Sequence, residues 1–345
     1  MQHSDVIVIG AGPIGIEMAV ALKGAGISYR HFEAAAIGAT IAWYAPQTHF
    51  FSSPERIAIA GVPLQTQDQS KATREEYLLY LRNVVLQFGL EIATYEPVTR
   101  VTPREGGGFA VTTVRRGRQH HWSADRVVLA IGDMHQPRRL GIAGEDLPHV
   151  SHYLGEPHRY FGRRVLVVGG KNSAVEAVIR LQRVGASPIL SYRGEDLDPE
   201  RIKFWLMPDI RALIRDRRVP FLPSTVPSEI LPDRVRLAST TGGDEQTVAA
   251  DDVLLMTGYT QDPTLFEQAG IVLEGPGKKP RHDEATMETN VPGLFVAGTG
   301  AAGTQLAGVK AFIETSHVHV DRILATITGQ PTADLATPTY ELPES

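Results

Sequence analysis

The chain has 345 residues, 42% hydrophobic and 21% charged, which suits a water-soluble protein of two domains with a sizeable core. Its 34 Lys and Arg against 39 Asp and Glu leave a net charge of −5, so composition points to no nucleic acid and no acidic membrane surface as partner. There is no cysteine, which excludes disulfides, thiolate nucleophiles and thiolate-bound metals, and no other pattern calls for a metal. The first strand-like run starts near Asp5, so no signal or transit peptide is expected within the given sequence. The longest apolar stretch, around Ala34–Ala45, falls short of the ~18–20 residues of a membrane span, and the absence of cysteine fits the cytosol.

Val6–Ile9 reads as a buried parallel strand, Gly10–Gly15 as a turn, and the following residues as a helix. That helix packs through Ile16, Ala19 and Val20, with Lys23 along the edge, and ends at Gly24 and Gly26. A second strand, "SYRHFE", closes with Glu33. Residues 73–89 have the period of an amphipathic helix, with Tyr77, Leu78, Leu81, Val84, Val85 and Phe88 on its apolar side. Residues 91–129 read as three antiparallel strands.

At Arg164 the opening pattern recurs in "RVLVVGGKNSAVEAVIRLQRVGASPILSYRGE", with Ala174, Val178, Leu181 and Val184 as the helix stripe. Shorter strands follow, ending in "DDVLLMTGY". "TMETNVPGLFVAGTG" is a strand plus glycine turn, and a final helix holds Ile313, His317, Val320, Ile323, Leu324 and Ile327. The Pro- and Thr-rich tail is extended. The simplest architecture is an α/β fold with two Rossmann-like dinucleotide-binding domains, the second inserted into the first: residues 1–138 plus 262–345, and residues 139–261.

Gly10-x-Gly12-x-x-Gly15 fits a dinucleotide turn. The first glycine allows the bend, the second lets the backbone approach a pyrophosphate, and the third lets helix and strand pack. The helix start adds unpaired N–H groups and partial positive charge. Glu33 follows Gly10 by 23 residues, where an acid accepts hydrogen bonds from a ribose diol. In the second motif, Gly169-Gly170-Lys171-Asn172-Ser173-Ala174, Lys171 replaces the middle glycine and either lies along the pyrophosphate or points away. The strand after it ends in Tyr192-Arg193 instead of an acid. Arg193 can pair with a 2′-phosphate, which favours NADPH over NADH; a surface Arg beside Glu195 and Asp196 is the competing reading. Two such sites suggest an electron-transfer flavoprotein, FAD in the first and NADPH in the second. Glu17 and Glu176 fall in the first turns of the two nucleotide helices, where capping and dipole effects account for them. His135, His149, His152 and His158 are either proton donors or chance surface histidines.

On "GAGPIG", "THFFSSPERIAIAGVP", "GEDLPHVSHY", "VVGGKNSAVEA", "YRGE", "IKFWLMPDI", "MTGY" and "ETNVPGLFVAG", the chain resembles the thioredoxin-reductase-like FAD/NAD(P)H flavoproteins. More narrowly, it is similar to the YpdA-type bacillithiol disulfide reductases, over nearly its whole length. The resemblance implies FAD on Gly10, Gly12, Pro13, Ile14, Gly15 and Glu33, with further contacts at Thr48, His49, Phe50, Phe51, Gly132, Gly298 and Thr299. It implies NADPH on Gly169, Gly170, Lys171, Asn172, Ser173, Arg193 and Lys203, and a cytosolic homodimer.

The chain departs from that family where the chemistry lies. Thioredoxin reductases carry a Cys-x-x-Cys before the second nucleotide strand, and YpdA-type reductases a cysteine inside the first glycine loop. Here the former region has none and the latter position is Ile14; Ile131 and Thr299 are smaller departures. Without a thiolate, the expected reaction is NADPH to FAD and then directly to a small-molecule or redox-protein electron acceptor. By likeness to ferredoxin–NADP reductases of this fold, His49, Phe50, Phe51 and Tyr340 are candidates to lie against the flavin; ordinary packing is the competing account of the two Phe. Three other readings remain: a low-molecular-weight disulfide or thioredoxin-like reductase, a flavin monooxygenase (suggested by "PHVSHY"), and a non-catalytic redox sensor.

Overall fold

The computed structural model describes residues 2–306 and 311–330. Tyr340 and the tail lie outside the described residues. The described residues form two compact units, one of residues 2–42, 47–136, 259–306 and 311–330, the other of Trp43–Pro46 and Pro137–Gly258.

The first unit is built on a parallel sheet. Gln2–Ile9 lies between Tyr29–Phe32 and Arg118–Leu129, and Leu294–Val296 flanks Arg118–Leu129 on its far side, all parallel. Three antiparallel strands do occur within residues 91–129, but the two ends of that range differ from the expectation. Ile92–Ala93 joins the parallel sheet beside Tyr29–Phe32, while Val98–Pro103 and Phe109–Arg115 form an antiparallel pair. Arg118–Leu129 belongs to both patterns. Residues 118–124 pair antiparallel with Phe109–Arg115, and Val127, Val128 and Leu129, all fully buried, pair parallel on both sides. That run is apolar on both faces because the sheet is covered on both faces there.

The helix Pro13–Gly24 buries Ile14, Gly15, Ile16, Met18, Ala19 and Leu22. Lys23, at the edge of that face, is exposed, and its Nζ donates to the carbonyls of Phe88 and Gly89, both at 2.8 Å, at the C-terminal end of the helix Arg74–Gln87. There a cation meets both unpaired carbonyls and the negative end of the dipole. Thr73 and Glu76 close the other end as a capping box. Tyr80, not Leu78, Val85 or Phe88, completes this helix's buried side with Tyr77, Leu81 and Val84. The Tyr80 hydroxyl donates to Val62 O at 2.7 Å and accepts from Ile59 N at 2.7 Å, so a tyrosine is buried without an unpaired oxygen. The last described helix is His317–Thr328; Ile313 precedes it.

The second unit repeats the plan. Phe221–Leu222, Ser187–Ser191, Arg164–Val168, Asp252–Leu255 and Val150–Ser151 form a parallel sheet in that order. The helix Asn172–Arg183 buries Ala174, Val175, Ala177, Val178, Ile179 and Leu181, and Val184 caps its end. Thr225–Ile230, Arg234–Ser239 and Gln246–Ala249 make a separate antiparallel sheet. Trp43–Pro46 count with this unit because Ala45 is in its core, Trp43 packs on Tyr153 and Arg180 donates to the Pro46 carbonyl. No helix among the described residues is long and apolar enough to cross a membrane.

Candidate functional site

The three glycines of the first turn are needed for different reasons. Gly10 has φ 102°, and a Cβ there would collide with the Ala130 carbonyl; a Cβ on Gly15 would collide with the Gly10 carbonyl. Gly12 has an ordinary φ of −76°, and a Cβ there would meet nothing within 4 Å. Neither backbone strain nor protein packing calls for a glycine at position 12. What remains is clearance for a group seated against the start of the helix Pro13–Gly24, whose N-cap residue carries no side-chain cap. The residues therefore fit a dinucleotide pyrophosphate.

Side chains hold this turn from both sides. Glu33 accepts from Ala11 N at 2.7 Å and Ala35 N at 2.8 Å, which sets its carboxylate beside the loop at the end of the second strand. His31, buried and not singled out from sequence, donates from Nε2 to Gly10 O at 2.8 Å. Burial pulls its pKa down to about 4 against that hydrogen bond, so the ring is neutral at pH 7. The only sequence signal was a polar residue amid the buried positions of "SYRHFE".

Gly298 begins the second turn of this unit, with φ 71°. A Cβ on it would lie 3.4 Å from the Ile14 Cβ, and its N–H donates to His319 Nδ1 at 3.1 Å. Ile14 is 5% exposed and belongs to the core. Gly132 lies nearby, with Thr299 Oγ1 3.8 Å from where its Cβ would be, and Gln261 Nε2 donates to the carbonyls of Gly132 and Gly300 at 2.9 and 3.0 Å. Gly10, Gly132 and Gly298 thus follow the carboxyl ends of three adjacent parallel strands, where such sheets bind ligands. Thr48–Phe51 run along residues 71–74: Phe50 N donates to Ala72 O at 2.8 Å, His49 bridges Thr73, and the Phe50 ring packs 4.5 Å from Tyr77. Phe50 therefore has a packing role of its own.

Glu17 is not a helix-start cap. It lies beyond the first turn of Pro13–Gly24, and its carboxylate pairs with His317 Nδ1 at 2.8 Å and accepts from Ala60 N at 2.9 Å. His317 Nε2 donates to Arg56 O at 3.1 Å. Glu176 is likewise past the first turn of its helix; burial raises its pKa, with Arg180 3.9 Å away opposing.

The second glycine turn copies the first with changes. Gly169 N donates to Ser191 O as Gly10 N does to Phe32 O, which puts Tyr192 where Glu33 stands. The Tyr192 ring packs on Gly170, leaving no room for a Cβ there. Lys171 is exposed at the N-cap position, and its pKa is lowered by partial burial and then by Arg201, Arg138 and Arg193. Four basic side chains thus act on one another at a helix start, where the backbone also favours an anion, although Arg201 is paired with Asp198 at 3.0 Å. Arg138 and Arg201 come from separate turns, and no sequence spacing announces them. Asp196 is held by Arg211 in a two-point pair at 2.6 and 2.8 Å, so it does not neutralise Arg193. Asn172 Oδ1 accepts from Lys203 N at 2.7 Å, and the Lys203 ammonium lies over the Trp205 ring at 5.8 Å. Ser173 is exposed at the helix start.

Of the four histidines, only His158 is an exposed surface residue. His149 bonds to Leu231 O at 3.2 Å, His135 Nδ1 accepts from Asp262 N at 3.0 Å, and His152 lies 3.7 Å from Glu145. Burial lowers the pKa of His135 and His152.

The family model described as pyridine nucleotide-disulphide oxidoreductase matches residues 7–298. The chain belongs to this family. It is 34% identical over 329 residues to the bacilliredoxin reductase Bdr of Bacillus subtilis, covering 95% of this chain and 98% of that one. The solved structure of the bacillithiol disulfide reductase Bdr (YpdA) from Bacillus cereus is 34% identical, with a TM-score of 0.89 over 95% of this chain and 99% of the other. A ferredoxin–NADP reductase of Ignicoccus hospitalis is 28% identical over 326 residues, 89% of this chain and 97% of that one. The fold is thioredoxin-reductase-like and the protein is an enzyme, a flavin-dependent pyridine nucleotide oxidoreductase. This pyridine nucleotide-disulphide oxidoreductase nevertheless has no cysteine anywhere in its 345 residues.

Proposed function

We propose that the chain is an NADPH-dependent flavoprotein reductase that passes electrons to its acceptor without a thiol of its own. The observation that carries this reading is the missing cysteine, with Ile14 buried in the first glycine turn. FAD and NADPH are the cofactors; bound together, they supply hydride transfer, so no acid or base is needed for that step. Gly10, Gly12, Gly15 and the helix start hold the FAD pyrophosphate, Glu33 accepts from its ribose, and Gly132, Gly298 and Thr299 line the rest. The anion site of Lys171, Arg193, Arg138 and Arg201 holds NADPH phosphates, with Gly169, Gly170, Asn172 and Ser173 at the same helix start. The resemblance supports a cytoplasmic homodimer.

The purified protein should show flavin absorbance near ~450 nm that NADPH bleaches without oxygen. Offered in turn a quinone, ferredoxin, oxygen and bacillithiol disulfide, the reduced protein should be reoxidised fastest by one of the first three. Fast reoxidation by the disulfide would overturn the argument from the missing thiol. That outcome is the second reading, supported by the names of the Bdr relatives: a small disulfide would take two electrons from a flavin held at the first glycine turn, and its S–S bond would open to two thiols with two protons taken from water. Arg193→Ala should raise the KM for NADPH by about 10- to 100-fold, the scale of a lost charged hydrogen bond, and that for NADH by far less. Equal effects on both would remove Arg193 from the phosphate site.

A further inference from the structure

Residues 201–205 form a short strap at the start of the helix Asn172–Arg183. Asn172 Oδ1 anchors it through Lys203 N at 2.7 Å, and Ile202 is buried in the core of the second unit. The charge of Arg201 acts on Lys171. On this anchored strap Phe204 turns outward and is 66% exposed. Its ring meets Trp205 edge-on, with centroids 4.9 Å apart at 85°, and the Lys203 ammonium covers Trp205. A large apolar ring is thus held in water, backed by a second aromatic, on a strap anchored beside the helix start where Lys171, Arg138 and Arg193 act on one another, Arg201 being paired with Asp198.

We propose that Phe204 is the stacking platform for the adenine of the pyridine nucleotide. The proposal rests on the assignment of NADPH to the second glycine turn. An adenosine 2′-phosphate joins a flat aromatic base to a dianion through one ribose, and the strap sets a flat ring beside an anion site. Stacking needs only an exposed π face and a fixed backbone beneath it. In the first unit an acid, Glu33, stands at the end of the second strand. In this unit Tyr192 takes that position and covers Gly170, so the adenosine finds its aromatic and cationic partners further along the chain.

The full-length protein and its Phe204→Ala, Phe204→Tyr and Phe161→Ala variants are titrated with adenosine 2′,5′-bisphosphate by calorimetry. Phe161 is also an exposed phenylalanine, at 69%, and serves as the control. Phe204→Ala should weaken binding about tenfold or more, Phe204→Tyr should restore it, and Phe161→Ala should leave it unchanged. Wild-type affinity in Phe204→Ala overturns the platform alone. Failure of the wild type to bind the bisphosphate overturns the nucleotide assignment, and the platform with it.

Discussion

Gly12→Asp is expected to yield a folded protein that cannot hold flavin. Position 12 has an ordinary φ, and a Cβ there would meet nothing within 4 Å, so the substitution adds no backbone strain. Asp is also a better N-cap than Gly by a few tenths of a kcal/mol, so the cofactor-free protein should melt at the same temperature or slightly higher. The new carboxylate, however, fills the clearance in front of the helix start and sets like charge against a pyrophosphate. Repulsion of that kind costs several kcal/mol, so FAD affinity should fall by about 1,000-fold or more. The check is absorbance of the purified variant, then titration of the cofactor-free protein with FAD, with circular dichroism reporting the fold. Gly15→Ala provides the contrast: its Cβ runs into the Gly10 carbonyl, so it should lower the melting temperature before any cofactor is added. Flavin bound normally by Gly12→Asp would refute the placement of the pyrophosphate.

Both β-α-β units were legible in the sequence because glycine spacing and apolar runs are local signals. The partners of a strand are not. "HHWSADRVVLA" has one apolar rhythm, yet its strand has an antiparallel partner only as far as Ala124 and parallel partners from Trp122 on, and only the assembled sheet decides that. Glu17 shows the same limit for side chains. Its place after a glycine turn suggests a helix cap, but its partner His317 lies 300 residues away. The cluster of basic side chains is half legible: Lys171 and Arg193 sit inside the second β-α-β unit, whereas Arg138 and Arg201 reach it from elsewhere in the chain. The missing thiol needed no structure. The structure adds that Ile14 is a packed side chain facing Gly298, so the position serves the core.

His317 should make stability fall as pH rises above neutrality. The ring is 7% exposed and lies between the Glu17 carboxylate and the Arg56 carbonyl. Burial alone would lower its pKa, but the hydrogen bond and charge of Glu17, the Arg56 carbonyl and Glu314 carry it above the ordinary 6.5. A histidine whose folded pKa exceeds its unfolded one binds its proton more tightly in the native state. Its stabilisation is therefore complete below 6.5 and is lost as pH rises through the raised value. His31 and His319, both lowered to about 4 chiefly by burial, act on the other flank: the unfolded chain takes their protons first, so stability falls as pH drops from 6.5 towards 4. Urea unfolding of the wild type should accordingly give its highest midpoint near ~6.5 and decline on either side. His317→Ala leaves the half-buried Glu17 carboxylate without its partner, which should cost about 1–3 kcal/mol at pH ~6 and flatten the decline on the alkaline side only. Adding Glu17→Leu should recover part of that loss, the remainder reflecting the Ala60 N–H left without its acceptor. An alkaline slope unchanged in His317→Ala would assign it to other groups, and the buried pair would then be a neutral hydrogen bond instead of an ion pair.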